Sequence, residues 1–184
     1  DVPACYYAKN CIATDIESSL QLSQQFSQRD KKLWDFKLAL SDLIMSGPSG
    51  VFNQSEVKGY NRELESLDNE IKIWSQEAKE EEDRLKSYGV LLDQNKKIQR
   101  EILSEKKKTK EEVLRIKGII SEISKLEVKV KKLIISVQKH QETIEKFKKD
   151  IVRWKKYLFS AIQKDVGENL FSWKINQFFL SPII

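Results

Sequence analysis

The chain has 184 residues and a formal net charge of +5; 33% of its residues are charged, whereas only 6 are glycine and 3 are proline. This composition is typical of long helices and coiled coils, and the length suits one domain or one elongated module. The charge is too small for a dedicated nucleic-acid-binding protein, and no apolar run approaches the ~20 residues of a membrane span.

Residues 1–13 are predicted to form an irregular N-terminal cap. Because the chain begins at Asp1 rather than at methionine, we expect that a signal peptide or another preceding segment has been removed. Cys5 and Cys11 would close a small disulfide loop in a secreted protein, whereas in a cytosolic protein they would be two free thiols. We favour the disulfide, because the chain has 2 cysteines and both lie beside the processed end.

The first predicted helix covers residues 15–45. Thr14 and Glu17 have the spacing of a capping box, in which each side chain satisfies the backbone amide of the other residue. The helix ends before Gly47-Pro48-Ser49-Gly50, since proline and two glycines cannot continue it. Its second half is apolar enough to dock on another helix. Its apolar residues are Ile16, Leu20, Phe26, Leu33, Trp34, Leu38, Leu40, Leu43 and Ile44.

The loop after this helix contains a candidate glycosylation site. Asn53 begins the sequence Asn-Gln-Ser, which matches the N-glycosylation sequon. The alternative is that Asn53 or Ser55 caps the next helix, since sequons also arise by chance. The loop position, the cysteine pair and the processed start together favour passage through the secretory route.

The second predicted helix covers residues 55–104. Glu81 breaks its apolar series, and the neighbouring acids Glu80 and Asp83 are expected on a solvated outer face. The apolar stripe contains Tyr60, Leu64, Leu67, Ile71, Trp74, Ala78, Leu85, Tyr88 and Leu92.

A polar gap separates the second helix from the third. After Leu103 no apolar residue occurs until Val113. Within this gap Thr109 and Glu112 form a second capping box. We therefore predict a tight turn between Ser104 and Thr109.

The third predicted helix, residues 110–165, carries the strongest pattern in the chain. One apolar column repeats every seven residues through Ile116, Ile123, Val130, Val137, Ile144, Ile151 and Leu158. A second column lies three residues further on, at Ile119, Leu126, Leu133, His140, Phe147, Trp154 and Ala161. Steps of three and four place both columns on one helical face. β-Branched residues in the first column and larger ones in the second suit the core positions of a coiled coil.

Charge favours antiparallel pairing of the second and third helices. Acids concentrate in the first half of the second helix and bases in the second half of the third, so a fold about Lys107 sets them side by side. The predicted fold class is all-α: an elongated antiparallel coiled-coil hairpin of two long helices, with the N-terminal helix packed against it, in a helical domain of residues 14–168. The predicted neighbours are Trp74 with His140, Tyr60 with Trp154, and Leu85 with Val130.

Residues 169–184 are predicted to form a short apolar C-terminal helix capped by Asn169. Such a segment is too apolar to remain in water. We expect it to fold back onto the hairpin, to contact a further part of a longer chain, or to drive self-association. Its apolar residues are Leu170, Phe171, Trp173, Ile175, Phe178, Phe179 and Leu180.

The sequence contains no recognisable catalytic motif, so we predict no enzymatic activity, no metal and no cofactor. His140, the 1 histidine of the chain, lies in the seam, where a buried and hydrogen-bonded histidine is expected. A Ser–His–acid or Cys–His site would need this residue, and the sequence has no glycine-rich phosphate loop. Two thiols and one distant histidine do not make a four-ligand zinc site.

A basic run in the third helix is a candidate polyanion-binding site. It comprises Lys146, Lys148, Lys149, Arg153, Lys155 and Lys156. Such a patch can hold a sulfated glycosaminoglycan by releasing counterions; nucleic acid is not the expected partner. We favour the alternative that these residues neutralise the acids of the second helix, which lie in the expected place.

Three segments near the N-terminus resemble the mature start of a mosquito salivary protein. They are Asp1 to Cys11 (DVPACYYAKNC), Asp15 to Leu20 (DIESSL) and Lys31 to Phe36 (KKLWDF). In these segments the chain is similar to the thirty-four-kilodalton culicine salivary family, which includes proteins that act on host neutrophils and other immune cells. The resemblance implies a secreted, extracellular effector delivered into vertebrate skin during blood feeding, and a natural chain that continues beyond Ile184. It carries over no catalytic or binding residue.

The expected function is modulation of host immune cells or haemostasis through binding to a host protein or cell-surface receptor. Two alternatives stay open: an intracellular coiled-coil scaffold subunit, and a membrane-active helical toxin that acts through residues 170–184. A signal peptide encoded directly before Asp1 would remove the scaffold, and liposome leakage is the test that the toxin must pass.

Overall fold

The structure, a computed structural model, describes residues 9–46 and 54–163. These residues form three α-helices and no β-strand: α1 (Lys9–Ser46), α2 (Gln54–Ser104) and α3 (Lys110–Gln163). The predicted all-α class is therefore confirmed for the described part of the chain. The side chains of Cys5 and Cys11, the sequon residue Asn53 and the apolar segment 169–184 lie outside the described residues, so the predictions about them stay predictions.

Helix α1 begins earlier than its capping box predicts. It starts at Lys9, so residues 9–13 of the predicted irregular cap are helical. Thr14 consequently lies inside the helix, where its carbonyl oxygen accepts a hydrogen bond from the hydroxyl of Ser18 at 3.4 Å. A Thr-to-Glu spacing signals a helix start only where the preceding residues do not continue the helix, and here they do.

The turn between α2 and α3 lies between Ser104 and Lys110, where the polar gap predicts it. The backbone amide of Glu112 donates to the Thr109 hydroxyl at 3.2 Å, which is one half of the predicted capping box. Lys107 has a φ of 78°. This left-handed conformation costs an L-residue with a side chain about 1–2 kcal/mol.

The chain divides into two units, and each helix contributes one segment to each unit. Unit 1 comprises Asp1–Ser27 and Glu77–His140. Unit 2 comprises Gln28–Gln76 and Gln141–Ile184.

The core of unit 1 combines apolar side chains with three buried polar ones, Ser19, Glu81 and His140. The imidazole of His140 stacks on the ring of Phe26, with centroids 4.5 Å apart and planes inclined by 11°. The buried polar ring of His140 is thus packed against an aromatic ring. The apolar core residues are Ile12, Ile16, Phe26, Ala78, Leu85, Tyr88, Leu92, Ile123, Val130, Leu133 and Val137.

Glu81 is a buried acid in the core of unit 1. The residue breaks the apolar series of α2, yet only 3% of it is exposed. Arg84, one turn further along α2, forms an ion pair with one of its carboxylate oxygens. The other oxygen, Oε1, has no hydrogen-bond partner among the described residues. Glu81 is buried because seven-residue spacing from Tyr88 places it on the core face whatever its polarity.

The core of unit 2 is aromatic. Phe36 of α1 lies between the other two helices, with its ring centroid 6.2 Å from Phe147 and 6.3 Å from Trp154. Phe147 and Trp154 meet edge to face at 5.1 Å, which is a favoured arrangement for aromatic pairs. The buried apolar residues are Leu33, Phe36, Leu40, Val57, Leu64, Leu67, Ile71, Trp74, Ile144, Phe147, Ile151, Trp154 and Leu158.

Polar contacts between helical segments follow a regular order within each unit. From α2 to α3 the residue numbers run in opposite senses. In unit 2 the contacts are Asp68 with Lys155 and Ser75 with Lys148; in unit 1 they are Glu82 with Gln138 and Lys96 with Glu127. Between α1 and α3 the residue numbers increase in the same direction. The polar contacts in unit 1 are Glu17 with Lys129 and Ser23 with Ser136, and the stacked rings of Phe26 and His140 continue the series.

The register in unit 1 differs from the one that the sequence predicts. Leu85 and Val130, the predicted neighbours, both belong to the core of this unit. A methyl group added at Gly89 would lie 3.9 Å from Cγ1 of Val130, an ordinary van der Waals contact. Val130 therefore lies against Gly89, one helical turn along α2 from Leu85.

The other predicted neighbours have different outcomes. Tyr60 packs against the core cluster that contains Trp154, and Phe36 has its ring 6.0 Å from that of Tyr60. Trp74 belongs to the core of unit 2 and His140 to the core of unit 1. The pairing of Trp74 with His140 stays a prediction.

Candidate binding surface

All six basic residues of the predicted polyanion site lie in the part of α3 that belongs to unit 2. The core positions of this part are Ile144, Phe147, Ile151, Trp154 and Leu158. Between them, steps of three and four place four of the basic residues on the outward face of the helix: Lys146, Lys149, Arg153 and Lys156. The remaining two, Lys148 and Lys155, directly follow core residues and flank the core.

Three of the six basic residues have polar partners. The contacts are Lys155 with Asp68 at 2.5 Å, Lys148 with Ser75 at 3.4 Å and Glu145 at 3.3 Å, and Arg153 with Asp150 at 2.9 Å. Of these, the first alone joins a base of α3 to an acid of α2. Neutralisation by α2, the alternative favoured from sequence, therefore accounts for only part of the patch.

Lys146, Lys149 and Lys156 are the other half of the patch. Each is exposed, and none forms an ion pair with another described residue. Their ammonium groups are hydrated and mobile, so an anionic partner can approach them without breaking an existing pair. We call these three residues the open lysines.

A groove between α1 and α3 in unit 2 is lined by Lys146, one of the open lysines, and has a volume of about 580 Å³. Leu33, Trp34 and Phe147 line it with apolar surface, and Lys31 and Lys146 line it with positive charge. Trp34 is 56% exposed. The ammonium group of Lys37 lies 5.1 Å from the centre of the Trp34 ring, within cation–π distance.

Sequence reasoning misassigns Trp34. It groups this residue with the apolar side chains expected to dock, but the docking face of α1 carries Leu33, Phe36 and Leu40 instead. Leu38, one turn beyond Trp34, is also largely exposed. The missed signal is a seven-residue column in α1, which contains Ile12, Ser19, Phe26, Leu33 and Leu40 and is interrupted by a serine.

Asp150 is the buried acid of the groove, with 5% of its surface exposed. Burial raises the pKa of this carboxyl, and the positive charges of Arg153 and Lys37 oppose the rise. Burial also raises the pKa of the Tyr157 hydroxyl, again opposed by Arg153. Arg153 thus compensates part of the negative charge that α3 carries into the core of unit 2.

The described residues contain no group of three or more His, Cys, Asp or Glu side chains arranged to hold a metal ion. None of the described helices is long and apolar enough to cross a membrane. The predicted burial of His140 is confirmed: the residue lies in the core of unit 1, stacked on Phe26, while its predicted hydrogen bond stays a prediction. Among the described residues of unit 2, exposed Trp34 lies together with Lys31 and Lys146 along the groove, so apolar and positively charged groups are accessible there.

Comparison with known proteins identifies no relative. No protein-family model, no curated protein and no solved structure matches the chain. The functional proposal accordingly depends on the surface of unit 2 and on the resemblance of the N-terminal segments.

Proposed function

We propose that the protein is a secreted, non-enzymatic salivary effector of a blood-feeding insect, which modulates host immune cells or haemostasis by binding a host protein. The observation that carries this proposal is the surface of unit 2, where Lys146, one of the open lysines, lines a groove together with exposed Trp34. Exposed aromatic and apolar side chains rimmed by charge are typical of protein-binding surfaces. The resemblance to the culicine salivary family supports the source and the secreted location.

The partner surface is expected to be acidic, because the open lysines have no acid of their own among the described residues. Charges at the rim of an interface chiefly accelerate association and make binding depend on salt. Trp34 would supply the apolar anchor, since tryptophan is enriched among the residues that dominate interface energies.

Cell binding tests this proposal. The labelled protein is incubated with neutrophils and platelets, and bound fluorescence is measured for the wild type and for Lys146→Glu/Lys149→Glu/Lys156→Glu. We expect at least tenfold weaker binding for this variant. The matched control is Lys58→Glu/Lys72→Glu/Lys79→Glu, which makes the same charge change on exposed lysines of α2. Equal losses in both variants, or no saturable binding by the wild type, would contradict the proposal.

A sulfated glycosaminoglycan is the second candidate partner, because the three open lysines recur at helical spacing and have no acid partner among the described residues. Removal of heparan sulfate from the cells by heparinase separates the two candidates. Binding that survives the enzyme identifies a protein partner. Binding that is lost with the enzyme, and that falls steeply with salt on a heparin column, identifies the polyanion.

We infer further that α2 and α3 form an antiparallel coiled-coil hairpin with α1 packed against it. The opposite order of α2-to-α3 contacts in each unit supports this arrangement, as does the short turn after Ser104. Gly89→Cys/Val130→Cys is expected to form a disulfide within one chain, since a Cβ atom at position 89 would lie 3.9 Å from Cγ1 of Val130. In the control Val90→Cys/Val130→Cys, the first cysteine replaces an exposed residue and should stay reduced. Bonds that form only between chains would contradict the hairpin.

A further inference from the structure

The groove of unit 2 has the dimensions of a small-ligand site. Its volume of about 580 Å³ falls within the roughly 300–1,000 Å³ of typical ligand pockets. Its apolar surface comes from two helices, with Leu33 and Trp34 on α1 and Phe147 on α3. Phe147 is held in the core by its contacts with Phe36 and Trp154, so this wall of the groove is rigid.

The charge at the rim of the groove is positive. Lys31 of α1 and Lys146 of α3 both line it, both are exposed, and neither forms an ion pair with another described residue. One cation therefore comes from each wall. Two lysines that face the same space can share one carboxylate, and such charge-assisted hydrogen bonds are among the stronger polar contacts.

The two acids of the groove do not cancel this charge. The carboxylate of Asp150 accepts a hydrogen bond from Arg153 at 2.9 Å and also interacts electrostatically with the ammonium group of Lys37. Asp30 has an interaction of its own, and it forms no ion pair with Lys31 or Lys146. The cations that stay available to a ligand are Lys31 and Lys146.

We propose that this groove binds a single-chain anionic amphiphile of the fatty-acid class. The carboxylate lies between Lys31 and Lys146, and the hydrocarbon chain lies against Trp34 and Phe147. A neutral hydrocarbon would leave both lysines without a partner, and a cationic amphiphile would be repelled by them. This site shares Trp34 and Lys146 with the protein-binding surface proposed above but takes a small ligand, so decanoate binding and cell binding can each fail without the other.

Calorimetric titration of the full chain with decanoate, below the concentration at which decanoate forms micelles, tests the proposal. We expect one saturable site per chain. Decyltrimethylammonium, which has the same chain length and the opposite charge, is expected not to bind. A wild-type protein without a saturable decanoate site, or equal binding of the two amphiphiles, overturns the proposal.

Two variants examine the charged and apolar parts of the site separately. Lys31→Gln/Lys146→Gln should weaken decanoate binding at least tenfold, whereas the control Lys72→Gln/Lys79→Gln, on exposed lysines of α2, should leave it within twofold. Trp34→Ala should also weaken binding at least tenfold, whereas Ile73→Ala, which removes another exposed apolar side chain, should not. Circular dichroism verifies the helical content of each variant. Binding that neither Lys31→Gln/Lys146→Gln nor Trp34→Ala changes overturns the proposal.

Discussion

Units 1 and 2 are built from segments of the same three helices, yet their cores differ in chemistry. Unit 1 buries Ser19, Glu81 and His140 among mainly aliphatic side chains and the rings of Phe26 and Tyr88, whereas unit 2 buries a larger cluster of aromatic rings with one acid, Asp150. In both units most of the buried positions follow the seven-residue spacing, with Phe36 and Asp150 as exceptions in unit 2. The spacing therefore determines which positions are buried, and the side chains at those positions determine how much each core contributes to stability.

This difference predicts that unit 2 is the more stable of the two. Each buried aromatic residue removes about 150–250 Å² from water and adds directional ring contacts. A buried carboxylate oxygen without a hydrogen-bond partner, as in Glu81 of unit 1, lowers stability instead. The proposed binding surface thus lies on the unit with the better-packed core, which favours precise placement of its side chains.

The largest expected effect is the loss of Trp154 from unit 2. This residue is 1% exposed and contacts both Phe36 and Phe147. We expect Trp154→Ala to lower the free energy of unfolding by about 3–5 kcal/mol, because it removes a large buried ring and leaves a cavity. Urea unfolding followed by circular dichroism measures this change.

Leu85→Ala, in the core of unit 1, is the matched variant for Trp154→Ala. Hydrogen exchange resolved by peptide then shows where protection is lost. We expect the strongest loss in residues 54–76 and 141–163 for Trp154→Ala, and in residues 77–104 and 110–140 for Leu85→Ala. A cost for Trp154→Ala below that for Leu85→Ala would contradict the proposed ranking of the units.

The next largest effect tests the polar core of unit 1. Glu81→Leu should raise the free energy of unfolding by about 1–2 kcal/mol, because it removes a buried carboxylate whose partner Arg84 can return to water. Glu80→Leu is the control, since Glu80 is exposed on the same helix. Thermal and urea unfolding both report the change. Destabilisation by Glu81→Leu would show that the carboxylate is required for the packing of unit 1.

A smaller stabilisation is expected in the turn of unit 1. Lys107→Gly should raise the free energy of unfolding by about 0.5–1 kcal/mol, because glycine adopts a positive φ without steric cost but loses more entropy on folding. Lys106→Gly, at the neighbouring position, should not stabilise. If both variants lower stability equally, the left-handed conformation of Lys107 does not persist in solution.

The smallest effect at neutral pH concerns Asp150 of unit 2. Its pKa is raised on folding, so the folded chain holds this proton to a higher pH than the unfolded chain, in which an Asp carboxyl titrates near a pKa of about 3.9. The free energy of unfolding should therefore decline as the pH rises from below about 3.9 through the raised pKa.

Asp150→Asn removes that decline. Urea unfolding of the wild type and the variant across this pH range gives the difference, and Asp42→Asn, at an exposed position of the same unit, serves as the control. A difference between the wild type and Asp150→Asn that does not change with pH would contradict the assigned direction.

Much of the helical arrangement could be predicted from sequence, because the strongest patterns have a direct geometric meaning. The first column of α3 is buried from Ile116 to Leu158 at every seventh position. The bounds of α2 and the turn before Thr109 follow from a glycine–proline break and a polar gap. The predicted alignment of α2 with α3 in unit 1 differs from the observed one by one helical turn. Charge matching selects antiparallel pairing but tolerates a shift of that size.

Less of the surface could be predicted. The basic run in α3 is visible in sequence, but its division into paired residues and open lysines depends on the neighbours of each side chain. Both α1 and α3 form the groove. The core-facing side of α1 was not recognised from sequence, because Ser19 interrupts its seven-residue column. Trp34 and Phe36 are equally apolar in sequence, and their different exposure follows only from which face of α1 meets the core.

Two glycines inside the helices have a consequence for how this chain has evolved. A methyl group added at Gly118 of α3, or at Gly59 of α2, would meet no atom within 4 Å. Alanine at either position would fit, and it would favour the helix by roughly 0.5–1 kcal/mol over glycine. Selection has therefore not maximised the stability of this protein. Alanine substitutions at Gly59 and Gly118 could offset the cost of destabilising substitutions elsewhere in the chain.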